Sequence, residues 1–404
     1  MKFSYTAENT SGEVYRGVAD VSDRFELYKM IRREGGKVIS VSEEGKGNML
    51  SLRYWNARFS TVPEHEKIVF ARNLGAMITA GLSLARALSV LERQIKNVRL
   101  SHVLSEVGGD VRRGQPLNEA LSRFPRVFSR LFVAMVKSGE ESGDLSNALK
   151  GISIQMEQAY TLKKKIRGAL IYPAIIVIAI IGIGALMLTQ VVPTLAQTFE
   201  ELGSELPAST QTVINVSDFL INHTFMALIL FVVAISGFTF GIRTAPGRRV
   251  LEWTLLHMPL IGGIVKEVNA ARTARTLSSL LSSGVDVVTS LAITREVVQN
   301  GYFRKVLKEA SDDVQRGELL SKAFARNENL YPALVGEMVA VGEETGALSD
   351  MMSRLAIFYE DEVTRKTKDM STVIEPFLMV IIGAAVGFFA ISMIAPIYSL
   401  SESI

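Results

Sequence analysis

The sequence predicts a mainly α membrane protein with three transmembrane helices, two duplicated cytoplasmic helical-bundle domains and a small N-terminal α+β domain. Three observations support this fold class: three long uncharged stretches, basic residues clustered on one side of them, and an internal repeat at a fixed offset of 203 residues. Of the 404 residues, 48 % are hydrophobic and 21 % charged. The mean hydropathy is nevertheless +0.25, so the apolar residues are concentrated rather than spread. The net charge of +3 is too small for a nucleic-acid partner. The absence of cysteine excludes a disulfide scaffold, a thiolate metal site and a cysteine nucleophile.

No charge falls between Gly168 and Phe199, between Phe219 and Ile242, or between Pro376 and Ser401. Each stretch reaches the ~20 residues that cross ~30 Å of hydrocarbon as a helix. They predict spans at 168–192, 219–242 and 373–398. Lys163, Lys164, Lys165 and Arg167 precede the first span, and Arg243, Arg248 and Arg249 follow the second. Arg365, Lys366 and Lys368 precede the third, while 193–218 carries Glu200, Glu201, Glu205 and Asp218 and no basic residue. The positive-inside rule then predicts a cytoplasmic amino terminus, an extracytoplasmic loop at 193–218 and an extracytoplasmic tail at 399–404. Residues 1–20 include Glu8, Glu13 and Asp20 and lack an apolar core, so no cleavable signal peptide is expected there.

Residues 1–42 read as a compact βα unit: Phe3, Tyr5 and Ala7 alternate with polar residues, Val14 to Val18 reads as a returning strand, Asp23 to Glu34 as a helix and Val38 to Val41 as a further strand. So small a module is expected to lean on a neighbour or partner. A linker is expected at 43–60. Thr61-Val62-Pro63-Glu64 has the layout of a capping box with proline in the first turn, opening a first helical bundle at 61–167. A second bundle is expected at 243–372.

Adding 203 to a residue number aligns the two halves without a gap from about 70 to 196. Gly81 meets Gly284, Gly114 meets Gly317, Pro173 meets Pro376 and Pro193 meets Pro396. Between Leu131 and Ser146, nine of sixteen pairs are identical. The chain thus reads as two copies of a bundle followed by a membrane helix, and the unpaired second span returns it to the cytoplasm.

Within the repeat the strongest motif is Gly139-Glu140-Glu141-Ser142-Gly143, echoed by Gly342-Glu343-Glu344-Thr345-Gly346. It reads as an interhelix turn whose glycines permit close approach or positive φ, with Glu140 or Glu141 and their counterparts on the amides of the next helix. A cation site or a charged docking point for a partner is the alternative. Asp144 becomes Ala347 in the second copy, so the candidate metal ligands are Glu140, Glu141 and Asp144, an oxygen set suited to calcium or magnesium. Pro173 and Pro376 are expected to bend the first and third spans near their cytoplasmic ends. Glu375, beside Pro376, is either functional at the membrane border or paired with Lys368 or Arg365. Gly182, Gly184, Gly383 and Gly387 suggest close helix packing in the membrane.

Catalytic signatures are missing: there is no phosphate-loop run, His65-Glu66 does not continue into a zinc motif, and the four histidines are scattered. No catalytic residue and no cofactor is expected. An oligomeric membrane transporter is the rival of a different class, but it needs a polar lumen for which the spans offer few residues.

Phe3-x-Tyr5-x-Ala7, the run from Phe70-Ala71-Arg72-Asn73-Leu74 to Ala80-Gly81-Leu82, and the duplicated acidic-glycine motif carry a resemblance that covers nearly all 404 residues. Tyr172-Pro173, Val192-Pro193, Leu206-Pro207, Glu375-Pro376 and Ala395-Pro396-Ile397-Tyr398 extend it. The chain closely resembles the inner-membrane platform proteins of type IV pilus assembly and type II secretion, the F-protein family of general secretion. The resemblance implies a non-enzymatic coupler between a cytoplasmic assembly or secretion ATPase and pilin or pseudopilin subunits. It further implies inner-membrane alignment proteins as partners and a homo-oligomer, dimer or higher. The outer-loop run 206–211 resembles the pilus versions somewhat more, with type II secretion the alternative.

Overall fold

A computed structural model describes residues 2–8, 14–21, 24–33, 35–43, 61–169, 171–201, 208–259 and 261–402. The expected linker at 43–60, apart from Glu43, lies outside the described residues, as do Leu206, Pro207 and the last two residues of the tail.

The N-terminal segment corrects the expected fold class. Strands β1 (Lys2–Glu8), β2 (Val14–Asp20) and β3 (Lys37–Glu43) form an antiparallel sheet in the order β2-β1-β3, with helix α1 (Arg24–Arg33) beside it. This is not a βα unit, because both neighbours of β1 run against it. Its fully buried apolar residues among the described ones are Ala7, Leu27 and Ile31, with Ala19, Val21, Met30 and Val38 partly buried around them. What the chain builds around substantial cores is α-helical.

The first bundle comprises α2 (Glu64–Thr79), α3 (Leu84–Gln94), α4 (Val98–Arg112), α5 (Leu117–Ser122), α6 (Arg130–Glu141) and α7 (Leu145–Ala169). Phe70, Phe128 and Phe132 pack against one another at its centre, with ring centroids 5.0–6.3 Å apart. The expected capping box at Thr61 is absent: Pro63 occupies the N-cap and provides no side-chain bond. Real caps stand elsewhere, such as Asn97, whose Oδ1 accepts from the amides of Arg99 and Leu100 at 3.1 Å.

The chain then continues through α8 (Ile171–Leu186), a π-helical turn at Met187–Val191, α9 (Val192–Glu201), α10 (Ala208–Asn222) and α11 (Thr224–Arg243). The expected loop at 193–218 is therefore largely helical among the described residues. Val192, Val213 and Ile214 pack together there, and Ser217 Oγ donates to the Leu188 carbonyl at 2.5 Å. The second apolar stretch divides at His223, so its membrane-length helix starts at Thr224 rather than Phe219.

The second bundle follows with α12 (Ala245–His257), α13 (Ile261–Ser282), α14 (Val287–Val297), α15 (Gly301–Gln315), α16 (Leu320–Ala325), α17 (Ala333–Thr345) and α18 (Leu348–Glu402). Tyr331 is fully buried against Phe303 and Phe324, and its hydroxyl lies 2.9 Å from Thr273 Oγ1. Desolvation drives its phenol pKa far up, opposed by the Thr273 contact. Helix α18, at 55 residues, extends about 80 Å from the bundle through the last apolar stretch.

Among the described residues, three helical segments are long and apolar enough to cross a membrane: Leu145–Thr194, Thr224–Arg243 and Leu348–Phe388. The two bundles touch each other. Leu280 and Ile293 join the apolar core of the first, Arg130 pairs with Glu296, and Ser138 Oγ donates to the Ser283 carbonyl.

Candidate functional site

The two acidic-glycine motifs sit where α6 turns into α7 and α17 into α18. Their glycines serve two different purposes. At the first glycine the helices cross closely: a Cβ on Gly139 would stand 2.3 Å from Ala148 Cβ, and one on Gly342 would stand 2.8 Å from Leu348 Cα. At the second, the backbone is left-handed, with φ of 73° at Gly143 and 69° at Gly346, a conformation that a Cβ disfavours.

The carboxylates also divide by position. Glu140 turns inward, and its two oxygens accept from the amides of Leu117 and Asn118 at 2.5 and 2.8 Å. Glu343 does the same to Leu320 and Ser321 at 2.6 and 3.1 Å. Each caps a short helix that precedes it by 23 residues, α5 or α16, rather than the helix that follows. Glu141 and Glu344 are exposed, and Glu141 has only a loose pairing with Lys137 at 3.6 Å. Asp144 is occupied as a local cap for α7, accepting from Asn147 Nδ2 at 2.8 Å and from the Asn147 amide at 3.3 Å. The three candidate metal ligands are thus directed to separate tasks, and no group of three metal-capable side chains occurs among the described residues.

Below each motif lies an arrangement that the sequence reading missed. Asp110 is 1 % exposed and accepts from Arg113 and Arg123; Asp313, also buried, accepts from Arg316 and Arg326. The guanidinium groups stay largely in solvent while their planar forks satisfy a sunken carboxylate. This clip fastens the end of α5 to the end of α4, and its counterpart fastens the end of α16 to the end of α15. The signal was available, since an offset of 203 carries all three residues of the first clip onto the second. The same offset carries Arg72–Glu157 onto Arg275–Glu360, and Glu64–Lys163 onto Glu267–Lys366.

The membrane-border candidates behave differently from one another. Pro193 follows the π-helical turn at 187–191, which widens the helix where proline supplies no amide; Thr194 Oγ1 donates to the Gln190 carbonyl at 3.0 Å. The membrane-length helical segment Leu145–Thr194 runs past Pro173, as α18 runs past Pro376 and Pro396. Glu375 is half-buried and makes no ion pair among the described residues, and Arg365 is engaged by Glu362 instead. A Cβ on Gly182, Gly184, Gly383 or Gly387 would meet nothing within 4 Å among the described residues.

A family model, the type II secretion system (T2SS) protein F, matches residues 70–193 and again 273–396. The chain belongs to this family. Its members are non-catalytic platform proteins. A protein of Thermus thermophilus named type IV pilus assembly protein PilC is 34 % identical to this chain over 98 % of both chains. A Myxococcus xanthus protein of the same name is 31 % identical, covering 100 % of this chain and 96 % of its own. The type II secretion system protein F of Xanthomonas campestris is 31 % identical, covering 100 % and 99 %.

Proposed function

We propose that this chain is an inner-membrane platform protein of type IV pilus assembly, coupling a cytoplasmic ATPase to the insertion of pilin subunits. The observation that supports it most is the likeness over 98 % of both chains to a protein named for type IV pilus assembly. Two force-bearing modules of one design, each joined to a membrane helix, suit a part that transmits position rather than performing chemistry. In this reading 61–167 and 243–372 are tandem copies of one unit, both cytoplasmic, and the basic residues flanking the spans hold the amino terminus inside and the carboxyl tail outside. Inner-membrane alignment proteins and a second copy of the chain complete the assembly. Type II secretion, acting on pseudopilins, is the second reading, favoured by the full-length match to a relative named for that system.

Deletion of the gene separates the two readings. Loss of surface pili with normal secretion supports the first, and loss of secreted product with pili intact supports the second. Tags near residues 55 and 255 are expected to be protected in spheroplasts, with one near 205 accessible; the reverse pattern overturns the orientation. Glu141 and Glu344 are the exposed members of the motifs and hence the docking candidates. Replacing both with alanine should weaken crosslinking to the ATPase at unchanged membrane abundance, and normal assembly in that variant would leave the motifs as architecture alone.

A further inference from the structure

A cavity of about 590 Å³ opens between the bundles, lined from one side by α2, α6 and α7 and from the other by α13, α14 and α18. Its wall carries five cationic and three anionic side chains, a surplus of two positive charges. All three carboxylates are taken. Glu64 is held by Lys163 at 2.9 Å, Glu296 by Arg130, and Glu360 by Arg275 in a two-pronged pair at 2.7 and 2.8 Å. The cations left over are Lys67, from the first bundle, and Arg272, from the second; neither makes an ion pair or hydrogen bond among the described residues. Burial is the leading influence on both, lowering the pKa of each; Lys67 is partly compensated by Glu64. Gln155 also lines the cavity at 5 % exposure, and its side-chain carbonyl oxygen has no donor.

These residues break the repeat that the rest of the bundle obeys. The offset of 203 sets Lys67 against Ala270, Arg272 against Val69 and Gln155 against Phe358. The ion pairs that hold each bundle together recur; the uncompensated polar groups in the cleft do not. They are not part of the common architecture, and partly burying Arg272 with no counter-charge and Lys67 with only partial compensation from Glu64 is costly to a fold that gains nothing from them.

We propose that this cleft binds a phosphomonoester or inorganic phosphate, held between Lys67 of one bundle and Arg272 of the other with Gln155 as the neutral contact. Hydrogen phosphate carries two negative charges for the two cations and a P–OH that supplies the donor Gln155 Oε1 lacks; a phosphomonoester dianion answers the two cations but leaves that oxygen without a donor. The ligand bridges the bundles, so its occupancy fixes their relative position. This assignment does not depend on which assembly the chain serves.

The test uses the full chain in phosphatidylcholine nanodiscs at constant ionic strength, following the unfolding midpoint. The probes are inorganic phosphate, adenosine monophosphate and nanodiscs containing phosphatidic acid. A saturable upward shift with either soluble probe identifies a free ligand, and a shift with phosphatidic acid alone identifies a lipid headgroup. Lys67→Met and Arg272→Met should each weaken the binding at least tenfold, while Arg72→Met, which removes a cation outside the cleft, leaves it unchanged. Without ligand the two cleft variants should unfold no earlier than the parent, because each removes an unmatched desolvated charge; this separates loss of binding from loss of fold. No shift with any probe, or equal shifts in parent and cleft variants, overturns the proposal.

Discussion

The two bundles carry the same ion pairs at different depths. Arg72 and Glu157 meet at 2.5 Å with both side chains 52 % exposed, whereas their counterparts Arg275 and Glu360 are each 15 % exposed. Glu64 is 46 % exposed and Glu267 only 12 %. The difference follows from placement. Helix α13 of the second bundle packs along α18 and also meets α6 and α7 of the first, so polar groups that face solvent in one copy face protein in the other. A common skeleton has thus been set into unlike surroundings, which distinguishes contacts that define the unit from contacts that define its position.

The close helix crossings belong to the unit itself, and they carry the largest expected effect. Gly139→Val and Gly342→Val each drive a side chain into a neighbouring helix, at an expected cost of about 3 kcal/mol. Gly143→Ala has open space around it and suffers only the left-handed backbone, about 1 kcal/mol. Native-state amide exchange reads each bundle separately. Undiminished protection of α6 and α7 in Gly139→Val would falsify the close crossing.

Next come the sunken aspartates. Asp110→Ala and Asp313→Ala each remove a buried acceptor of two charge-assisted bonds, with about 2 kcal/mol expected from the bundle concerned. The two losses should match within about 0.5 kcal/mol, since both clips have the same geometry. A large inequality breaks the claim that the clips are equivalent.

What the sequence revealed, and what it concealed, follows the same division. The spans were legible because an uncharged run has few alternatives, and the duplication because an offset of 203 survives unbroken across both bundles. The α5 and α16 helices were missed: at six residues each they show too little periodicity, and they depend on carboxylates that come 23 residues later. The Glu140 partner was sought in the following helix because local capping is the usual case, but α6 runs back beside α5. Thr61 looked like a cap until Pro63 took the position. The segment at 193–218 read as a loop from its acidic residues, yet Val192, Val213 and Ile214 give its helices an apolar contact too sparse to notice in one dimension. The order of the small N-terminal sheet was not legible, since it is decided by pairings that alternation alone does not specify.

A third comparison isolates depth. Arg72→Ala should cost at most about 1 kcal/mol, as exposed pairs do, and less at high salt. Arg275→Ala leaves Glu360 shielded without its two-pronged partner and should cost about 2 kcal/mol with weak salt dependence. Equal costs in denaturant titrations read by bundle-specific exchange would mean that burial does not govern the pair.

The smallest effect concerns the start of the second helix in each copy. Asp286 caps α14, its Oδ1 accepting from the Thr289 amide at 2.9 Å, while Ser83 stands at the same place before α3 and makes no side-chain cap. Asp286→Ala should therefore cost about 1 kcal/mol at neutral pH, and Ser83→Ala a few tenths at most. The Thr289 hydrogen bonds hold the Asp286 carboxyl below its ordinary value. A carboxyl depressed in the folded state contributes stability above its unfolded pKa of about 4 and loses it as pH falls through the lower folded value. The gap between parent and Asp286→Ala should accordingly be full at pH 7 and shrink below about pH 4, whereas the gap for Ser83→Ala should not change with pH. A gap for Asp286→Ala that persisted undiminished in acid would show that the carboxylate charge is not what caps α14, and would remove this distinction between the two copies.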